Sequence, residues 1–171
     1  MAIFLFLFIN VCSLNEEANK VPNKVPEITV SSNNINIPHT VGLNEWNGAK
    51  YDREDTFKVL MKGSPTLSYI KLGNKIQIKF IDSSVPDKVK MLDYILNEDG
   101  TAKYTEKAIK TIPIKFENKK AEIILEQNLA SMLSSNSADY EKGASIRGFR
   151  LVCSWGNNEC EYAFVIKSDA R

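Results

Sequence analysis

The side chains that could do chemistry in this chain are few: three cysteines and one histidine among 171 residues. Cys153 and Cys160 flank a turn-forming sequence near the end of the chain, and Cys12 lies near its start. A zinc site or a catalytic triad requires several ligand or partner residues around a histidine, and no motif in the sequence supplies them for His39. We therefore expect no catalytic residue, no metal and no cofactor.

Cys153 and Cys160 are predicted to lie on the two arms of a β-hairpin. A two-residue loop at Gly156-Asn157 sets the two cysteines directly opposite each other, about 4.5–5.5 Å apart at Cα, which a disulfide can span. A loop centred on Asn157-Asn158 instead sets Cys153 opposite Tyr162 and leaves the thiols about 7–8 Å apart. We predict the first register and a disulfide, with a pair of free buried thiols as the alternative.

Cys12 follows an apolar run from Ala2 to Ile9. The run has the length of the apolar region of an export signal, and it is too short for a membrane-spanning helix. The position resembles the acylated cysteine of a bacterial lipoprotein, although Val11 stands where a small residue is usual. We predict lipid attachment at Cys12, with a cleaved export signal as the alternative. An extracytoplasmic location agrees with the predicted disulfide, which needs an oxidising compartment.

Composition divides the chain into three segments. Residues 1–12 are predicted as an export or lipoprotein-like signal, residues 13–26 as a flexible tether, and residues 27–169 as a single β-sandwich domain. The tether is polar and contains Pro22 and Pro26, with little to bury. The net charge is only +1, so the chain lacks the excess of positive charge that attracts nucleic acid, and we do not expect a nucleic-acid partner. We expect as partners an unknown surface ligand or protein and, through the lipid anchor, the outer face of the cell membrane.

Short segments of alternating hydrophobicity dominate the domain and predict antiparallel strands, as in the half-buried pattern of Lys75 to Phe80. One acidic stretch predicts a short helix that is N-capped by Asp52 and ends near Gly63; its carboxylates suit a helix N-terminus better than a calcium site. An early Ser/Asn turn is expected to place on one face Ile28, Val30, Ile35 and Ile37. The buried face of the final hairpin is expected to hold Phe149, Leu151, Cys153, Trp155, Cys160, Tyr162, Phe164 and Ile166, opposite a mostly solvated face.

Trp46 is the candidate contact residue. It lies among polar residues between Gly42 and Gly48, which indicates a loop or strand end. An exposed tryptophan can stack on a sugar ring or anchor a protein interface. Trp155 shares the apolar face of its hairpin arm and is predicted to lie in the core.

The layout of the chain resembles a group of small secreted or lipid-anchored proteins of Gram-positive, spore-forming bacteria. The similar pieces are "VPEI.V....IP...G...W.G" at Val25–Gly48, an acidic helical segment at Asp55–Lys62, a "GNKIQIKF" strand, and "GFRL..SW......YAF.IK" at Gly148–Lys167. The resemblance implies an immunoglobulin-like β-sandwich and brings no catalytic residues. The chain is longer than this layout at Asn128–Gly143, which predicts a local elaboration.

These observations favour a non-enzymatic, membrane-anchored or secreted β-sandwich that acts in binding or interaction at the bacterial cell surface. The alternative is a secreted inhibitor or regulator of an enzyme such as a protease, with the loop at Ser134–Gly143 presented to that enzyme. An enzyme is a third interpretation, and it would require a pocket that gathers His39 with aspartate and tyrosine side chains.

Overall fold

A computed structural model describes residues 21–53, 55–64, 66–81 and 85–171. The predicted signal at residues 1–12 and the predicted lipid attachment at Cys12 therefore lie outside the described residues. The described residues contain ten strands and one α-helix. In chain order they are β1 (Ile28–Ser32), β2 (Ile35–Asn36), β3 (His39–Trp46), β4 (Ala49–Tyr51), α1 (Thr56–Gly63), β5 (Lys75–Phe80), β6 (Lys88–Leu96), β7 (Lys110–Ile112), β8 (Lys120–Ile124), β9 (Ser145–Trp155) and β10 (Asn158–Ser168).

The strands form two antiparallel sheets, one with the order β2-β1-β5-β8 and the other with the order β4-β3-β10-β9-β6-β7. The inner faces of both sheets contribute to one continuous hydrophobic core, as expected when two sheets pack face to face. The predicted mainly-β sandwich with one short helix is thus confirmed. The immunoglobulin-like strand order remains a prediction.

Aromatic rings join the two sheets. The alternation predicted for β5 is confirmed, because Ile76, Ile78 and Phe80 are all buried. The Phe80 ring centroid lies 5.5 Å from that of Trp155 and 6.2 Å from that of Tyr162 on the opposite sheet. Aromatic side chains bury the largest apolar areas, so Phe80 is a central packing residue of the sandwich.

The hairpin of β9 and β10 has the predicted register. Cys153 pairs directly with Cys160, and the loop is formed by Gly156 and Asn157. The backbone φ of Gly156 is +57°, whereas Asn157 does not have a positive φ. A glycine with positive φ at the first loop position is typical of a type II′ turn, whose twist matches that of a hairpin.

The outer face of this hairpin is not mostly solvated, so that prediction is wrong. Helix α1 packs on it, and a second hydrophobic cluster buries Phe57, Ala163 and Val165. Gly148 makes this close approach feasible, because a Cβ there would lie 2.6 Å from Leu96 Cδ1 and 2.8 Å from Phe57 Cε1. The amphipathic helix therefore adds a partial third layer to the sandwich.

The described end of the predicted tether is part of the fold, which corrects the expected boundary at residue 27. Val25 packs against the core, and Pro26 is buried. The hydroxyl of Tyr162 donates a hydrogen bond of 2.6 Å to the Pro26 carbonyl. A proline cannot donate to a sheet, but its carbonyl still accepts. Residues 13–20 lie outside the described residues.

Two local predictions need correction. Helix α1 begins at Thr56 with Asp55 as its N-cap residue, not at the predicted cap Asp52; the Thr56 hydroxyl donates to the Arg53 carbonyl at 2.7 Å. Ile35 is exposed, unlike Ile28, Val30 and Ile37. It lies on a two-residue edge strand that extends beyond the core.

Candidate functional site

A large concavity among the described residues is an apolar groove of about 1030 Å³ on the flank of the sandwich. We call it the lateral groove. One wall comes from residues 102–110, which lead into β7, and the other from residues 127–133, which follow β8. Ligand sites in proteins are concave, mostly apolar and of comparable size.

Two leucines at the groove are largely exposed. Residues Leu129–Leu133 form a 3₁₀ helix, whose N-terminus is capped by the Asn128 side chain through a hydrogen bond from the Ala130 amide. Leu129 is 76% exposed and Leu133 is 65% exposed. A short 3₁₀ helix cannot turn every apolar side chain inward, and contiguous exposed apolar surface marks interaction sites.

Lysine side chains on the opposite wall are fixed by ion pairs. The Nζ of Lys103 lies 2.5 Å from Oδ2 of Asp139, and the Nζ of Lys110 lies 3.0 Å from Oε2 of Glu126. These pairs link the 102–110 wall to neighbouring segments. Hydrogen bonding to Lys103 lowers the pKa of the Asp139 carboxyl below its usual value, so this carboxylate is charged at neutral pH.

A buried ion pair connects the 127–133 wall to the core. Arg147 and Asp93 are 1% and 0% exposed, and Arg147 donates from both Nε and Nη2 to the two carboxylate oxygens. The Arg147 Nη1 donates to the Glu126 carbonyl at 2.7 Å, and Asn128 Nδ2 donates to Asp93 Oδ2 at 3.0 Å. Burial raises the pKa of Asp93, and the hydrogen bond from Arg147 is the largest opposing effect. The network holds the start of the wall in one position.

Cys153 and Cys160 are both buried, and the structure has no bond between their sulfur atoms. The positions are nevertheless directly opposed, as the disulfide requires. The bond itself therefore stays a prediction. Burial raises the pKa of the Cys160 thiol to about 12 and raises that of Cys153 further.

We expect both hairpin thiols of the reduced, folded protein to resist alkylation. The thiolate is the reactive form, and burial suppresses it at Cys153 and Cys160. Timed iodoacetamide labelling followed by peptide mapping should show modification of both only when urea unfolds the protein. Rapid labelling of either residue under native conditions would contradict the packing described here.

Trp46 is not a surface contact residue, which corrects the expectation from its polar neighbours. It is only 7% exposed, and its ring packs edge-on against Trp155 at 5.4 Å between centroids. The pairing of β3 with β10 shifts register between Val41 and Asn44, where Gly42 and Leu43 together oppose the single residue Glu161. Such a bulge changes which side chains face inward, and it turns Trp46 toward the core.

His39 begins β3, where burial lowers its pKa. Among the described residues, no group of three or more His, Cys, Asp or Glu side chains is placed to hold a metal ion. In the same residues, no helix combines the length and the apolar character needed to cross a bilayer.

The loop at Ser134–Gly143, which the inhibitor alternative presents to an enzyme, is compact rather than extended. It contains a 3₁₀ helix at Ser137–Tyr140. The Tyr140 hydroxyl donates to the Ser134 carbonyl at 2.6 Å, and Asp139 accepts from Lys103. Nothing in this geometry favours the inhibitor alternative.

A partly buried carboxylate lies on the outer face of the six-stranded sheet. The Oε1 of Glu161 lies 3.5 Å from the Nε of Arg150, and a Cβ at Gly42 would lie 2.7 Å from the same oxygen. Burial raises the pKa of Glu161, and Arg150 opposes that effect. A raised carboxyl pKa contributes stability below the unfolded-state pKa, and the contribution is lost as pH rises through the folded-state pKa.

We therefore expect Glu161→Gln to gain stability relative to the parent as pH rises from 4 to 7, because the variant has no charge to desolvate. Thermal unfolding of both proteins across this range measures the difference in midpoint. Glu159→Gln, at an exposed position of the same strand, is the matched control and should show no such trend. A difference that is constant with pH, or of opposite slope, would contradict the burial effect.

No family model, curated protein or solved structure matches this chain.

The groove was not predicted from the sequence, although one signal was present: Leu129, Met132 and Leu133 are large apolar residues in a segment whose other residues are small or polar. Arg147 and Asp93 gave no local signal, because the two residues are far apart in the chain and meet only through the pairing of β6 with β9.

Proposed function

We propose that this chain is a non-enzymatic binding module that works outside the cytoplasm, anchored to the outer face of a bacterial membrane or secreted, and that it binds its ligand through the lateral groove. One observation carries the binding role: Leu129 and Leu133 are largely exposed beside an apolar groove. The wall that bears them is tied to the core by Asp93 and Arg147, so the groove is preformed.

The extracytoplasmic part of the proposal is supported mainly by the sequence. It rests on the export-like segment before Cys12, on the resemblance to secreted or lipid-anchored bacterial proteins, and on the opposed cysteines of the hairpin. The intact mass of the mature protein from its native host, before and after reduction, tests it. An acylated or cleaved amino terminus is expected, and an unprocessed, fully reduced chain would contradict this location.

Binding by the groove is tested with Nile red, an uncharged apolar dye whose fluorescence rises in apolar sites. We expect saturable binding to the parent protein and a loss of affinity of about tenfold or more in Leu133→Glu, because a charge replaces an apolar contact of roughly 1.4 kcal/mol. Leu133 is mostly exposed, so the substitution should leave the fold intact.

Ile35→Glu is the matched control, since Ile35 is an exposed apolar residue on the edge strand β2. It should bind Nile red as the parent does. Equal dye binding by all three proteins, or no saturable binding by the parent, would contradict a binding role for the groove.

A further inference from the structure

A second cavity adjoins the lateral groove. This polar pocket, of about 400 Å³, lies between the end of β6 and the start of β9. Lys103 and Tyr104 line both cavities, and Ser131 of the pocket directly follows Ala130 of the groove. The two cavities are therefore adjacent, and the groove is mainly apolar whereas the pocket is mainly polar.

Ser145 lines the polar pocket and has an unused hydrogen-bonding group. The residue is only 7% exposed, and within the described part of the chain its hydroxyl has no hydrogen-bond partner. By contrast, the Ser131 hydroxyl lies 2.7 Å from the carbonyl oxygens of Asn128 and Ala170. A buried hydroxyl without a partner is costly, and a polar ligand group in the pocket would remove that cost.

The charges around the pocket are balanced. Its lining includes the cations Lys103 and Lys167 and the anions Glu98 and Asp139, of which Lys103 and Asp139 form an ion pair. Such a lining favours neither an anionic nor a cationic ligand. It presents both donors and acceptors, which suits hydroxyl groups because each hydroxyl can both donate and accept.

We propose that the groove and the pocket together bind one amphiphile of the glycolipid type, with its alkyl chain in the lateral groove and an uncharged, hydroxyl-rich head group in the polar pocket. The proposal rests on the proposed function of the groove and adds the class of ligand. The apolar groove supplies burial for the chain, and Ser145 with the neighbouring charged side chains selects the head group.

Three probes with the same chain test the head group: n-octyl glucoside, octanoate and octyltrimethylammonium, each titrated calorimetrically below its micelle concentration. We expect the glucoside to bind the parent protein at least about tenfold more tightly than either ion, since two ordinary hydrogen bonds amount to that ratio. Ser145→Ala should weaken glucoside binding about threefold to tenfold and leave octanoate unchanged. Its melting temperature should equal or exceed that of the parent, because the substitution removes a buried hydroxyl that has no partner within the described fold.

Leu133→Glu should weaken all three probes, since each places its chain in the groove. Equal affinities for the three probes, or glucoside binding that is unaffected by Ser145→Ala, would overturn the ligand class while Nile red binding still supports the groove. Absence of both Nile red and glucoside binding would overturn the ligand class and the proposed function together.

Discussion

Asp93→Ala is expected to lower the free energy of unfolding by about 3–5 kcal/mol, because it leaves the buried Arg147 guanidinium without its counter-charge. Arg147 is almost fully buried and donates twice to Asp93, so it cannot regain hydration without disrupting the fold. The loss is a large share of the roughly 5–15 kcal/mol that stabilises a typical domain. Urea denaturation followed by circular dichroism measures it.

Two comparisons make this experiment specific. The double variant Asp93→Leu with Arg147→Met should lose much less stability than Asp93→Ala, since it removes both charges and keeps apolar volume. Glu117→Ala, which breaks the exposed pair with Lys115, should give no measurable change. If Asp93→Ala were as stable as the parent, the buried network would not hold the 127–133 wall as described.

Phe80→Ala should cost about 3–5 kcal/mol of unfolding free energy, the range for truncating a buried phenylalanine. Its ring is fully buried and contacts Trp155, Tyr162 and Phe116. The substitution therefore opens a cavity where the two sheets meet, and rigid β-strands can close such a cavity only in part. Denaturant unfolding again gives the value.

Ile124→Ala is the matched control for this truncation. Ile124 lies on β8, next to β5 in the same sheet, but its side chain is about half exposed. We expect a change within about 0.5 kcal/mol. A loss below about 1 kcal/mol for Phe80→Ala, or equal losses at the two positions, would show that the core is not centred on Phe80.

The parts of the fold that the sequence predicted are those with local causes. The alternation of apolar and polar residues over Lys75–Phe80 predicts a strand with one buried face. A Gly-Asn loop between two segments of alternating hydrophobicity predicts the hairpin and its register. The turn at Glu117–Lys120 is also local, and positive φ values at Asn118 and Lys119 form it. Each of these features is determined by residues that are neighbours in the chain.

The missed parts depend on distant contacts. Alternating apolar residues on both sides of residues 117–120 indicate two consecutive strands, but β7 pairs with β6 in one sheet and β8 pairs with β5 in the other. The alternation of apolar and polar residues within a strand does not indicate which sheet that strand joins. Trp46 was misassigned for a similar reason, because the bulge that turns it inward exists only through the pairing of β3 with β10.

The candidate site was the least predictable part. One wall contains the 3₁₀ helix Leu129–Leu133 and the other the 3₁₀ helix Glu106–Ala108. The start of the first wall is held by a carboxylate on β6 and an arginine on β9 rather than by a periodic pattern. Exposed leucines give a sequence signal only when the surrounding segment is known to lie on the surface. Such a site can be recognised only when the burial and the contacts of each residue in the folded chain are known.

Amide chemical-shift mapping with n-octyl glucoside, kept below its micelle concentration, tests the central claim most directly. The uniformly ¹⁵N-labelled protein should show its largest shift changes at residues 102–110 and 127–133 and at Ser145, with little change at the opposite edge around Ile35. Changes confined to that opposite edge, or no saturable change at all, would contradict the assignment of the lateral groove as the binding site.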